Sequence, residues 1–204
     1  ATLETFGRID VVLANAGFGV SGDMKKLDTS DYRRQFETNF FGVLETIYAT
    51  LPHLEESKGR IGIVSSVMGR VGVPGSAPYC ASKFALVGLA ESIYFDLAER
   101  GVSVSCINPG IVASEIRSVN NQGEYTGRPD PASSRFRMPV EVAARQIVRG
   151  LYRRKAEFVI TKHGKLVTFA SRHFPRTVRW LIRMASNGRL EKIEERKRGK
   201  ANEG

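Results

Sequence analysis

The sequence predicts an α/β protein: a doubly wound parallel sheet covered by helices on both faces, in three α/β/α layers. Three observations carry that expectation. Short β-branched runs alternate along the chain with longer stretches of helical periodicity. Each run is nearly all apolar instead of alternating, as expected where both faces of a sheet are covered. With 204 residues, 42% hydrophobic and 25% charged, the chain suits one domain with a sizeable core.

The elements follow in order. "DVVLAN" (10–15) reads as the first strand, and a helix spans 29–51 with a buried stripe at Phe36, Phe40, Val43 and Ile47. "RIGIVSS" (60–66) is the next strand, followed by a helix over 78–99, with Gly101 just past its end as a C-cap would be. "VSVSCINP" (102–109) is a third strand. Residues 111–137 form a long polar segment of little periodicity, the kind that serves as a lid or is disordered. A helix over 139–154 opens on Pro139, acceptable in a first helical turn, and "EFVITK" (157–162) is the last strand. Strands separated by helices with right-handed crossovers lie parallel.

"NAGFGVSG" contains a literal G-x-G-x-x-G (Gly17, Gly19, Gly22) after the first strand. A phosphate cradle of that form needs its third glycine to open a helix, and an acidic residue to end a second strand about 20 residues on. Gly22 is followed instead by "DMKKLDTSDYRR", which reads as a loop, and Glu37 lies inside the next helix. The match fails as a pyrophosphate site.

Composition narrows the classes. No apolar run approaches the roughly 18 residues of a membrane span, and the opening residues do not read as a signal peptide. Cys80 and Cys106 are isolated, which indicates neither a metal site nor a disulfide framework, so a reducing cytoplasm is the expected compartment. The net charge of +10 is concentrated at one end. Residues 145–204 carry 17 Lys and Arg against 5 Asp and Glu, whereas 1–144 are nearly balanced.

The chemistry lies in "SSVMGRVGVPGSAPYCASK". Tyr79 and Lys83 are four apart in a helical pattern and share a face. A neighbouring ammonium and a helix N-terminus both favour a phenolate, so such a tyrosine can exchange a proton with a carbonyl or alcohol oxygen. The bland alternative is an exposed Tyr and Lys on a helix. Ser66 ends a strand at the edge where open parallel sheets bind ligands, or it bonds to its own turn. Asn39 puts an amide on a buried face, where it serves a site or is a satisfied core amide. Unpartnered, it would cost about 1–3 kcal/mol.

Taken together, Asn39, Ser66, Tyr79 and Lys83 in this order, with "NAG" at 15–17, Gly69 after "SS", "YCASK" at 79–83 and "NPGIVAS" at 108–114, resemble the short-chain dehydrogenase/reductase family from about residue 5 to 162. The resemblance implies a Rossmann-like sheet and hydride transfer between NADP or NAD and a small carbonyl or secondary alcohol substrate. It makes Tyr79 the proton donor or acceptor and gives Lys83 the nicotinamide ribose and the lowering of the tyrosine pKa. It makes Ser66 the group that orients the carbonyl, and Asn39 the anchor of a water in the proton path. Pro109, Gly110 and Val112 match the loop along the nicotinamide, with Ser114 where the family usually has threonine. Asn15, Ala16 and Gly17 match the turn bordering the adenosine ribose. A homo-oligomer is implied for the full-length form.

On this resemblance "DVVLAN" is the family's fourth strand. Its first three strands, with the true glycine-rich loop and the residues choosing NAD or NADP, are expected to precede Ala1, about 70–80 residues at roughly 30 or more per βαβ unit. No G-x-S-x-G accompanies His53, His163 or His173, so a hydrolase is excluded, and no motif supports a metal or nucleic acid. We therefore divide the chain into a truncated catalytic domain (1–164) and a basic, amphipathic helical extension (165–204). "FPRTVRWLIRMA" sets Arg176, Arg179 and Arg183 on one face, with Val178, Trp180, Leu181, Ile182 and Met184 over much of the rest. Such a helix (175–185) either lies peripherally in a membrane interface or packs on the domain or a partner subunit. "EKIEERKRGKANEG" reads as a solvated end. The competing function is a non-catalytic fragment acting by membrane or protein association through this basic segment.

Overall fold

The computed structural model describes residues 1–127 and 137–186. The chain divides into two units, Ala1–Thr168 and Phe169–Gly204. In the first, four strands form one sheet: β1 (Val11–Ala14), β2 (Arg60–Val64), β3 (Ser103–Asn108) and β4 (Glu157–Val159), in that spatial order. All neighbours are parallel, with Val12 opposite Ile61, Ile61 opposite Val104 and Ile107 opposite Phe158. The helices are α1 (Thr2–Phe6), α2 (Thr29–Phe36), α3 (Gly42–Ser57), α4 (Ala77–Ala98), α5 (Val140–Tyr152) and α6 (Lys162–His173).

Burial on both faces explains the unbroken apolar strands. Ile61, Ile63, Val104 and Cys106 join one core with Val43, Ile47 and Leu54 of α3 and Leu86, Val87 and Ala90 of α4. Ile107, one residue out of phase, turns to the opposite face and packs with Ala143 and Leu151 of α5. The three-layer α/β fold expected from the sequence is therefore present. Ile61, Ile63 and Ile107 are fully buried, each contributing roughly 1.5–3 kcal/mol of transfer free energy.

Several boundaries differ from the expectation. The helix read at 29–51 is three segments: α2, a π-helical stretch Glu37–Phe41, and α3. Asp28 opens α2 through a capping box in which its side chain accepts from Ser30 and Asp31 N–H. Pro52 does not end α3, because the fully buried Leu54 and a bond from the Ser57 hydroxyl to the Ile9 carbonyl hold the last turn. The run read as strand over 157–162 stops at Val159. Beyond it, Thr161 receives Gly164 N–H on its hydroxyl and Lys165 N–H on its carbonyl, which starts α6. β1 and β4 are the two edges of this sheet, and α5 packs on β2 and β3, so Val11 and Leu13 of β1 are 47% and 42% exposed.

The segment over 111–137 has local order in its described part. Val112 bridges Met138, Glu115–Arg117 make a 3-10 turn and Val119 bridges Tyr125. Its residues 128–136, and the mixed-charge end after 190, lie outside the described residues. In the second unit, residues 175–186 are helical, as read for 175–185.

Candidate active site

The site gathers at the carboxyl ends of β1, β2 and β3. The breakers in "GVPGSAP" end the preceding chain, with Gly75 at a φ of +72° and Pro78 in the first turn of α4. Tyr79 therefore sits in that first turn, half-buried, and Lys83 lies one turn further on. The Lys83 ammonium is 5.7 Å from the centroid of the Tyr79 ring. Lys83 is only 3% exposed, and its Nζ donates to the Val64 carbonyl at 2.8 Å. Burial pulls its pKa down to about 8, with Cys106 opposing the shift. The pair is thus not the exposed surface couple that the spacing alone allowed.

β2 delivers two serines with different roles. The Ser65 hydroxyl donates to the Lys83 carbonyl at 2.9 Å and pins α4 to the strand end. Ser66, buried, caps the 3-10 turn Val67–Gly69 by accepting Met68 N–H at 3.1 Å. That bond uses a lone pair of Oγ, and the hydroxyl proton is a separate donor. A Cβ on Gly69 would stand 2.5 Å from Ser65 Oγ and 2.7 Å from the Lys83 carbonyl oxygen, so only glycine lets this turn lie on α4.

Asn39 is fully buried within the π segment, a wide turn of a kind frequent at functional sites. Its Oδ1 accepts Phe18 N–H at 3.1 Å, and its Nδ2 donates to the Phe18 carbonyl at 3.1 Å and to Ser82 Oγ at 3.3 Å. The Ser82 hydroxyl passes the chain on to the Tyr79 carbonyl at 2.8 Å. A methyl group on Gly17 would stand 3.0 Å from Asn39 Oδ1 and 3.7 Å from Lys83 Nζ, and one on Gly19 would stand 3.7 Å from the Tyr79 ring. Asn39, Tyr79 and Lys83 thus meet around the loop after β1, whose Asn15, Ala16 and Gly17 are exposed.

The loop after β3 completes the floor. The Pro109 carbonyl accepts Val67 N–H at 2.9 Å, and Val112 is held in its bridge to Met138. Gly110 packs so closely on α6 that a Cβ there would stand 2.2 Å from Thr161 Oγ1 and 2.6 Å from His163 Nε2. Ser114 is exposed and makes no side-chain cap to its own 3-10 turn.

Further supporting contacts escaped the sequence reading. Gln35, fully buried, accepts Val20 N–H at 2.6 Å and donates to the Phe18 carbonyl at 2.9 Å. It stands four residues before Asn39, a spacing that was available as a signal. Asn121 pairs both ways with Ser21, accepting its N–H at 3.0 Å and donating to its carbonyl at 2.8 Å, while Arg34 Nε donates to the Asn121 carbonyl. His163 Nε2 accepts Ile111 N–H at 3.1 Å. These last contacts span long separations and leave no periodic trace.

A parallel sheet carrying a helix-borne tyrosine–lysine pair beyond its strand ends defines a class of dinucleotide-dependent α/β proteins. Within that class the profile of the short chain dehydrogenase family matches residues 1–124, and the chain belongs to that family. A 3-ketodihydrosphingosine reductase of Bacteroides thetaiotaomicron is 30% identical over 157 residues, 76% of this chain and 58% of that protein. Human retinol dehydrogenase 8 is 39% identical over 110 residues, 53% and 35% of the two chains. Curated relatives are matched over about half their length or less. Among solved structures, ElxO with NADP bound is 31% identical with a TM-score of 0.53, covering 55% of this chain and 46% of its own. A short chain dehydrogenase of Burkholderia cenocepacia in complex with NADP shares the fold at a TM-score of 0.75 and 22% identity, over 89% of this chain and 71% of that one.

Proposed function

We propose that this chain is the catalytic part of an NAD(P)-dependent oxidoreductase acting between a carbonyl and a secondary alcohol. The observation that carries the reading is the buried Lys83 ammonium one helical turn from Tyr79, in a chain of this family. The names of two relatives, a 3-keto compound's reductase and a retinol dehydrogenase, support the substrate class, and ElxO with NADP bound supports the cofactor.

The residues present fit the nicotinamide half of such a cofactor. An ammonium has three donors, and the Val64 carbonyl takes one, so Lys83 has further N–H groups to offer ribose hydroxyls. Asn15, Ala16 and Gly17 would border the adenosine ribose, while Pro109, Gly110, Val112 and Ser114 would lie along the nicotinamide. When bound, the cofactor supplies or accepts the hydride.

The chain's own groups handle the proton. The Tyr79 hydroxyl gives its proton to the carbonyl oxygen in reduction and takes it back in oxidation. Two positive features, the Lys83 ammonium and the N-terminus of α4, favour the phenolate left behind. The Ser66 hydroxyl proton holds the carbonyl oxygen toward Tyr79. Asn39 keeps the loop after β1 against Tyr79 and stands at the head of the proton path through a water. Residues 1–164 would form this catalytic domain, with 165–204 outside the chemistry. Exposed Phe41, Tyr48, Phe84 and Phe95 on the helical layer support a homo-oligomer.

The test is Tyr79→Phe in the full-length protein, assayed by NADPH oxidation against a panel of ketones and aldehydes. Turnover should fall by about 10²–10⁴-fold, the range for a positioned general acid, with NADPH binding retained. Comparable turnover in the Phe variant would overturn the reading.

A further inference from the structure

The second unit carries an apolar helix face with arginines along one side of it. Between Glu157 and Glu191 the sequence has no acidic residue and seven Lys and Arg. Phe174 leads into the helix over 175–186, its N–H bonding back to Ala170 and its carbonyl receiving Val178 N–H. Successive residues step by about 100° around a helix axis, at 3.6 residues per turn. Arg176, Arg179 and Arg183 therefore share one narrow arc. Trp180, Met184, Leu181 and Phe174 follow one another beside it, and they are 59%, 56%, 53% and 58% exposed. Val178 and Ile182, further round, are half-buried. The helix is thus most exposed along its arc of Trp180, Met184, Leu181 and Phe174.

We propose that the helix over 175–186 is a membrane-surface element that docks on anionic phospholipid. No described helix is long and apolar enough to cross a membrane, so the segment lies on the bilayer. A tryptophan beside arginines suits the boundary between acyl chains and headgroups, where the ring sits at headgroup level. The arginine stems lie along the apolar zone and carry their guanidinium groups out to phosphate. Charge decides against the other obvious occupant. In a two-fold dimer the same patch would face itself, setting arginine against arginine with no carboxylate in the stretch to pair them. An anionic lipid surface supplies the missing negative charge.

The chain contains a single tryptophan, so its emission reports on this helix alone. Vesicles of phosphatidylcholine with phosphatidylglycerol should shift Trp180 emission to the blue, shield it from acrylamide and carry the protein down on sedimentation. Added salt should release it, and phosphatidylcholine alone should bind weakly. Arg176→Glu combined with Arg183→Glu, both exposed, should lower affinity for the anionic vesicles by at least about tenfold, given the attraction each basic residue contributes near such a surface. Leu181→Asp should abolish the emission shift with helicity by circular dichroism unchanged. Three results would each overturn the proposal: unchanged emission with anionic vesicles, an equal shift with neutral ones, or blue-shifted emission without lipid in a protein that sediments as a dimer through this helix.

Discussion

Lys83 stands 5.7 Å from the centroid of the Tyr79 ring, with its Nζ anchored on the Val64 carbonyl and its own carbonyl anchored by the Ser65 hydroxyl. The lysine is thereby fixed at both ends, backbone and ammonium, against the end of β2. A cation held in place this way cannot relax toward water, and its burial has a thermodynamic signature.

That signature is a pH dependence of stability. Burial lowers the Lys83 pKa from 10.5 to about 8. Between those two values the unfolded chain holds more protons at this group than the folded chain, so stability rises with pH across the window. The penalty is fully present below about pH 8 and relieved as pH climbs towards 10.5, on the order of a few kcal/mol. Cys106 opposes this: burial pushes its thiol from 9.0 up to about 12, so its contribution to stability is lost as pH rises above 9. Comparing urea unfolding of the parent with Lys83→Met cancels the cysteine. The parent should gain on the variant from about pH 8 upward, and a flat difference would refute the assignment.

The ribose role of Lys83 makes a separate prediction. In the full-length protein Lys83→Met should weaken NADPH binding as well as turnover, whereas Tyr79→Phe should affect turnover alone. Fluorescence titration separates the two. Unchanged NADPH affinity in the Met variant would leave Lys83 only its electrostatic influence on Tyr79.

Gly69→Ala should destabilise the protein by about 1–3 kcal/mol, the range for overpacking a tight core. The added methyl meets both Ser65 Oγ and the Lys83 carbonyl oxygen. Removing the hydroxyl with Ser65→Ala should give little rescue, because the α4 backbone remains in the way. Full rescue by that second change would show that the side chain, not the backbone, sets the approach.

Asn121 fastens the segment after β3 to the loop after β1 through Ser21. Asn121→Ala deletes both bonds and leaves Arg34 holding only the carbonyl. Tryptic cleavage after Arg117 should become several-fold faster under native conditions, with the thermal midpoint nearly unchanged. Equal cleavage rates would mean that the fastening lies elsewhere.

Much of this was legible in the residues themselves. The order of strands and helices, the burial of the inner strands β2 and β3 on both faces and the one-turn spacing of Tyr79 and Lys83 are local properties. They follow from periods of 2 and 3.6 residues that any reader of the chain can count. The break in the helix over 29–51 was not legible, because the residue a π turn inserts leaves no mark in the chain: ahead of it the fully buried positions are Gln35 and Asn39, one residue before the stripe read at Phe36 and Phe40, which are half-buried. The helix also runs past Pro52: a proline removes one hydrogen bond, and the burial of Leu54 outweighs that loss.

The sequence by itself determined which side chains with useful chemistry stand near strand ends and helix starts. Only the tertiary structure decided what each polar group bonds to. Asn39 and Gln35 share the Phe18 backbone, His163 accepts from Ile111, and Asn121 reaches back to Ser21. The reason is that a buried donor or acceptor must find a partner, and the partner lies wherever the fold brings the chain back, at separations no local pattern records. The same holds for the charge on Lys83, which the spacing could place but only burial could weaken.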